Sequence, residues 1–126
     1  MGGVRVLVGT KKGAFILTSD GKRKQWTVDG PHFGGWELYH LKGSPADPDR
    51  IYASQTSSWF GQVIQRSDDG GKTWKNMGLE NSEHISEVIV HPTNPNIVYV
   101  GAYGPVWTEG GDRGVYKSID GGITWT

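Results

Sequence analysis

The side chains able to do chemistry are gathered in glycine-rich, aromatic stretches. Pro31-His32-Phe33-Gly34-Gly35-Trp36 is one, Ser57-Ser58-Trp59-Phe60-Gly61 a second, and Tyr103-Gly104-Pro105-Val106-Trp107-Thr108-Glu109 a third. Lys11 and Lys12, then Glu80, Asn81, Glu83 and His84, and finally Asp112 with Arg113, fall in similar stretches. An aromatic ring in a glycine-rich loop can stack on a sugar ring or a peptide group, and an adjacent His or carboxylate supplies polar contacts. The candidate ligand-binding residues are therefore His32, Phe33, Trp36, Trp59, Phe60, Glu80, Glu83, His84, Tyr103, Trp107 and Glu109. The competing reading has Trp59, Phe60 and Trp107 folding back to plug neighbouring sheets.

Catalytic patterns are weaker. Sugar cleavage by the usual route needs two facing carboxylates. Glu80, Glu83, Glu109 and Asp112 are the ones available, and nothing in their spacing demands a pair. There is no Ser-His-Asp arrangement, and His32, His40, His84 and His91 are too dispersed to argue a triad or a metal site. Asp68-Asp69-Gly70 lacks the spaced oxygen ligands of a calcium loop. Without cysteine there is neither a disulfide framework nor thiolate chemistry. No catalytic residue, metal or cofactor is assigned.

Bulk composition narrows the class. Lys plus Arg and Asp plus Glu each number 13 in 126 residues, so net charge is zero. A nucleic-acid or anionic-membrane binder would normally carry a basic excess, and the one basic run, Lys22-Arg23-Lys24, reads as a solvated turn. The first residues lack a signal peptide's apolar stretch and no window approaches a membrane span, so a cytoplasmic location is the default expectation. Twenty glycines, six prolines, six tryptophans, five tyrosines and three phenylalanines point to short strands joined by tight turns.

An internal repeat of about fifty residues organises the chain. Residues 67–74 and 118–125 both read S-x-D-x-G-x-T-W. A weaker copy runs from Thr18 through Asp20 and Gly21 to Trp26, without the second Gly and the Thr. In step with these, Ser44-Pro45-Ala46-Asp47-Pro48 matches His91-Pro92-Thr93-Asn94-Pro95, and Leu7-Val8-Gly9 aligns with Tyr52-Ala53-Ser54 and Tyr99-Val100-Gly101. Between the marks lie β-branched and aromatic runs bounded by turn residues. With four strands per unit named A to D, the first unit has B, C and D at 4–10, 14–18 and 25–29. The second has A to D at 37–42, 50–56, 63–67 and 73–77. The third has A to C at 85–91, 97–102 and 114–118, with D cut short at Thr126. No segment shows a helix period. Because strands alternate direction, the B–C and D–A connections share one face, and the candidate binding stretches lie there.

The repeat resembles the Asp-box, or bacterial neuraminidase repeat, β-propellers, a superfamily of sialidases, xyloglucan-degrading enzymes and sortilin-type receptors. The resemblance covers essentially the whole chain. It implies an all-β fold of four-stranded antiparallel blades, about 2.75 blades in a single partial propeller over 1–126. The blades are expected at 1–30, 36–78 and 84–126. Within the motif the carboxylate bridges turn N–H groups, Gly supplies open backbone angles, and Trp packs between sheets. Asp20, Trp26, Ser67, Asp69, Gly71, Thr73, Trp74, Ser118, Asp120, Gly122, Thr124 and Trp125 are thus read as fold-makers. A sialidase would also need an arginine cluster, a Tyr-Glu nucleophile pair and an acidic proton shuttle. Arg5, Arg50 and Arg66 fall in slots that do not obviously converge, and the Arg-Ile-Pro-type motif is missing.

The expectation is accordingly a non-catalytic binding or assembly module that takes glycan or peptide. The alternatives are a fragment or relative of a glycoside hydrolase, sialidase-like or glucanase-like, and a purely structural self-assembling repeat unit. A three-blade arc leaves end faces bare. The expected partner is a second copy, the homodimer closing a six-blade ring.

Overall fold

The structure is a computed structural model that describes residues 3–57 and 61–126. It is all-β, with ten strands in three antiparallel sheets and no helix among the described residues. Sheet 1 comprises β1 (Val4–Thr10), β2 (Gly13–Ser19) and β3 (Thr27–His32). Sheet 2 comprises β4 (Glu37–Gly43), β5 (Ile51–Ser57), β6 (Gly61–Ser67) and β7 (Lys75–Asn76). Sheet 3 comprises β8 (Ile85–Val90), β9 (Val98–Ala102) and β10 (Gly114–Ser118). Each sheet is a simple meander in chain order, as expected for strands joined by short turns.

Strand alternation decides what is buried. Along β9, Val98, Val100 and Ala102 point inward while Tyr99 points out. Val98 and Val100 join Val88, Ile85 and Leu79 against Tyr52 and Ile64 of sheet 2. A smaller cluster of Ala14, Leu38 and Ala53 joins sheets 1 and 2, with Phe33, Trp36, Leu41 and Trp74 around it. Each large aliphatic side chain buried in these joints contributes about 1.5–3 kcal/mol. The sheets follow one another in space, β1 lying beside β4 and β4 beside β8.

Most strand edges fall within one or two residues of the sequence expectation, and two strands differ more. The fourth strand of sheet 2 is expected over 73–77 but spans only Lys75–Asn76. Thr73 is held in the turn instead, its N–H and hydroxyl both donating to Asp69. β3 is expected over 25–29 but spans Thr27–His32, and between the pairs Ile16–Asp29 and Ala14–His32 the register shifts by one, the extra residue lying in β3. At the other end of the chain, Thr126 exchanges both backbone hydrogen bonds with Lys117, at 2.9 and 3.0 Å, and so adds the first residue of a fourth line to sheet 3.

The two full S-x-D-x-G-x-T-W turns are superposable in their bonding. Ser67 Oγ donates to Asp69 Oδ1 (2.8 Å) and accepts from Gly71 N–H (2.8 Å), while Thr73 N–H and Oγ1 reach the two Asp69 oxygens at 2.8 and 2.5 Å. Ser118, Asp120, Gly122 and Thr124 repeat this at 2.7, 2.7, 2.9 and 2.5 Å. Gly71 and Gly122 have φ of 97° and 91°, in the region that favours glycine. The Thr73 hydroxyl, the Thr73 N–H and Ser67 hold the Asp69 carboxyl well below the usual carboxylate range. The Thr124 hydroxyl, with the Thr124 N–H and Ser118, lowers Asp120 to about 2. Trp125 Nε1 donates across the joint to Met77 O (2.8 Å), whereas Trp74 Nε1 closes its own turn on Gly71 O (3.1 Å). In the degenerate copy, Asp20 accepts from Lys22 and Arg23 N–H at 3.0 and 3.1 Å, and Trp26 stays exposed.

Candidate functional site

The site is built from two segments that flank the start of β8 and the end of β9. The first is the turn 79–84. Leu79 anchors it in the core, and Ser82, fully buried, donates to Gln62 O (3.3 Å). Gln62 Oε1 accepts from Ile85 N–H just beyond. Leu79 and Glu83 adopt positive φ, 59° and 50°, which turns the chain sharply on either side of Ser82. With Leu79 and Ser82 buried, Glu80, Glu83 and His84 are left exposed.

The second segment is the loop 103–113. It docks on the first through Tyr103 N–H to His84 O (2.8 Å) and Asp112 N–H to Asn81 O (3.0 Å), and His84 Nδ1 lies 3.2 Å from Gly104 O. Arg113 braces it from its C-terminal side. Its Nε donates to Gly110 O (2.8 Å), Nη1 to Tyr103 O (2.9 Å), and Nη2 to Thr108 O (2.7 Å) and Pro105 O. A guanidinium is a planar fork of five donors, so one side chain can gather four carbonyls from both limbs of a loop. Gly111 fits only because it lacks a side chain: a Cβ there would sit 2.4 Å from Pro105 Cδ and 2.8 Å from Asn81 O. The braced loop presents Tyr103 and Val106 to solvent, with Trp107 at 94% exposure.

The structure thus brings Glu80, Glu83 and His84 together with Tyr103, Trp107 and Glu109 on two docked segments. Trp107 does not fold back onto a sheet within this chain. His32, Phe33 and Trp36 are placed elsewhere. Phe33 and Trp36 pack in the joint between sheets 1 and 2, with Phe33 and Trp74 ring centres 5.0 Å apart. His32 ends β3, its Nε2 3.1 Å from Asp29 Oδ2 and its ring 6.2 Å from that of Trp74. Trp59 and Phe60 lie outside the described residues.

Three polar groupings were not read from the sequence. Arg50 and Arg66 do converge, both on Asp68: Arg50 Nε lies 2.6 Å and Arg66 Nη2 2.9 Å from its oxygens. Their remaining bonds cross to sheet 3, Arg50 Nη1 to Asn96 Oδ1 (2.8 Å) and Arg66 Nη1 to Gly121 O (2.7 Å), and Tyr52 OH donates to Pro95 O (2.7 Å). The pair therefore clamps the joint between sheets and presents no open anion site. Glu87 links β8 to β4 through Lys42 (3.5 Å) and His40 (3.7 Å). The Val88 N–H, then Lys42 and His40, lower its carboxyl. Finally, Tyr39 OH donates to Glu37 Oε2 (2.6 Å), and that bond, with some burial, raises the phenol. Arg50–Asp68 and the Glu87 contacts with Lys42 and His40 join residues distant in sequence, and the i, i+2 pairs Arg66–Asp68 and Glu37–Tyr39 belong to no motif. Among the described residues no group of three or more His, Asp or Glu side chains is disposed to hold a metal ion. No protein-family model matches the chain, and no curated protein matches it.

Proposed function

We propose that this chain is a non-catalytic, Asp-box propeller-type binding module whose 79–84 and 103–113 segments take a glycan. The observation that carries the reading is the Arg113-braced loop holding Trp107 out in solvent at 94% exposure. Exposing an indole costs hydrophobic free energy, and a preorganised aromatic is what a ligand that stacks on it uses. His84, Glu83 and Glu109 in the same two segments offer hydrogen-bond partners for hydroxyl groups. Titration with a xyloglucan oligosaccharide and with sialyllactose, followed by tryptophan fluorescence, tests it. Saturable binding by either sugar that Trp107→Ala abolishes supports the reading. Binding of extended peptides alone would replace the glycan with a peptide, and no binding by any of them would refute it.

The hydrolase alternative has one observation in its favour, the Tyr39–Glu37 pair, since a sialidase uses a tyrosine beside a glutamate. Against it stands the engagement of Arg50 and Arg66, which bind Asp68 and sheet 3 and so are not free to hold a substrate carboxylate. Turnover of aryl-glycosides that falls with Tyr39→Phe, or with changes at Glu80, Glu83 or Glu109, would reinstate it.

A further inference from the structure

The dipeptide Asp-Gly occurs four times, at 20–21, 29–30, 69–70 and 120–121. It carries a latent reaction. The Gly backbone nitrogen can attack Cγ of the Asp side chain. A C–N bond forms, the N–H proton and the carboxyl hydroxyl leave together as water, and a five-membered succinimide results. Gly favours the attack because no side chain shields its nitrogen. Water then opens the ring at either carbonyl. One opening gives back Asp; the other gives isoaspartate, in which the backbone runs through the side chain and gains one methylene. The attack needs a protonated carboxyl, a carboxyl free to swing, and a peptide unit free to turn until the nitrogen faces Cγ.

Three of the four copies lack these freedoms. In the full turns, Thr73 and Thr124 hold both oxygens of Asp69 and Asp120, and the Ser67 and Ser118 hydroxyls add a further bond to each. Led by the Thr hydroxyls, these bonds lower both carboxyls, and each unit of lowering leaves about tenfold less of the protonated form at neutral pH. The nitrogens are held as well. Gly70 N–H donates to Asp49 O and Gly121 N–H to Asn96 O, both at 2.9 Å, and Arg66 Nη1 pins Gly121 O from the other side. Asp29 and Gly30 lie within β3. Asp29 pairs with Ile16 and its Oδ2 lies 3.1 Å from His32 Nε2, while Gly30 packs so close on β2 that a Cβ there would sit 2.6 Å from Ala14 O. That peptide unit cannot turn without breaking the strand.

The copy at 20–21 is different for local reasons. Lys24 stands four residues after Asp20, where the full turns have Thr. The side-chain bonds that Asp20 receives come from the Lys22 and Arg23 N–H groups, and both reach Oδ1. Among the described residues, Gly21 N–H donates no hydrogen bond. Every residue from 20 to 26 is exposed, so packing does not oppose rotation of the peptide unit and water reaches the ring. Ser19 Oγ donates to Gln25 O (2.5 Å) at the base of this loop. An added methylene is therefore taken up above that closure, outside the paired part of β2 and β3.

We infer that Asp20 is the isoaspartate-forming site of this chain, and that the hydrogen bonds of the full turns protect Asp69 and Asp120 while β3 protects Asp29. The same bonds that build a full turn thus keep its Asp-Gly pair from reacting. This reactivity is independent of the glycan reading.

The experiment ages the full chain at neutral pH and physiological temperature, folded and in denaturant. Its peptides are then read by electron-transfer fragmentation, which cleaves the Cα–Cβ bond that isoaspartate places in the backbone. In the folded chain, isoaspartate should accumulate at Asp20 at least about tenfold faster than at Asp69 or Asp120, and faster than at Asp29. In denaturant the four sites should react at comparable rates. Thr73→Val, or Ser67→Ala should that variant fail to fold, removes a donor to Asp69; it should speed isomerisation at Asp69 and leave Asp120 unchanged. An Asp20 that stays intact in the folded chain, or an Asp69 or Asp120 that reacts as fast, would overturn the inference. A ranking that survives in denaturant would overturn it too, because the difference would then lie in flanking sequence and not in the fold.

Discussion

Replacing Arg113 by Ala should loosen the loop that carries Trp107 while leaving the sheets intact. The guanidinium donates to the carbonyls of Tyr103, Pro105, Thr108 and Gly110. Arg113 is exposed, so each bond is taken at the low end of the usual range, about 0.5–1 kcal/mol. Four such bonds give about 2–4 kcal/mol of local stability, or roughly a 30- to 1,000-fold rise in the loop's opening equilibrium. Two amides report that opening, because the loop docks through Tyr103 N–H and Asp112 N–H. Native-state hydrogen exchange at these two amides should accelerate by that factor. The buried Ile64 amide, bonded to Gly78 O in the core, should keep its rate. Arg113→Lys should resemble the Ala variant, since an ammonium cannot span four carbonyls. Unchanged exchange at Tyr103 and Asp112 would refute the bracing argument, and equal acceleration at Ile64 would show that Arg113 supports the whole fold.

Other perturbations separate the turns and joints from the site. Asp69→Ala should lower Tm, because Thr73 and Ser67 lose their acceptor, and should leave ligand affinity unchanged where the protein stays folded; kept stability with lost binding would reverse that assignment. The lowered Asp120 carboxyl has a definite sign: it titrates near 2 folded and about 3.9 unfolded. Its stabilisation is therefore present above about pH 4 and is lost as pH falls toward 2. In Asp120→Ala the acid limb of Tm against pH should be flatter, and an identical limb would contradict the assignment. Tyr52→Phe removes the bond to Pro95 O from a fully buried ring and should cost about 1–2 kcal/mol in denaturant unfolding; a neutral effect would mean that Arg50 alone holds the joint. Gly111→Ala should disrupt the loop, whereas Gly110→Ala, where a Cβ meets open space, should cost about 1–2 kcal/mol of left-handed strain. Equal effects on exchange at Asp112 would show that the Pro105 contact is not limiting.

The strands were legible because their signals are local. Alternation along 98–102 and the paired turns at 67–74 and 118–125 need only neighbouring residues to be read. The ends of β3 and β7 were not, since the extra residue that β3 carries opposite Ala14 and Ile16 and the double use of Thr73 are decided by pairing geometry. The same limit applies to the site. The loop 103–109 was visible as aromatic residues among glycines, and its neighbour at 80–84 as a polar run. Phe33 and Trp36 looked identical in kind to Trp107, yet they fill the joint beside Ala14, Leu38 and Ala53. Only the backbone path, with Phe33 at a φ of 56°, distinguishes an aromatic that turns in from one that stays out. Arg113 stood out beside Asp112, but its bracing role gave no signal, because its four acceptors are carbonyls, which every residue possesses. The convergence of Arg50 and Arg66 on Asp68 was equally silent, since half of its bonds cross to another sheet.

The glycan-binding claim is tested most directly by the indole N–H resonances of the six tryptophans. Loss of one peak in Trp107→Ala assigns Trp107, and wild-type protein is then titrated with the xyloglucan oligosaccharide and with sialyllactose. The account predicts that one of these sugars shifts the Trp107 resonance in a saturable way while those of Trp74 and Trp125, locked on Gly71 O and Met77 O, stay in place. Saturable binding that leaves Trp107 unmoved, or no shift with either sugar, would contradict it.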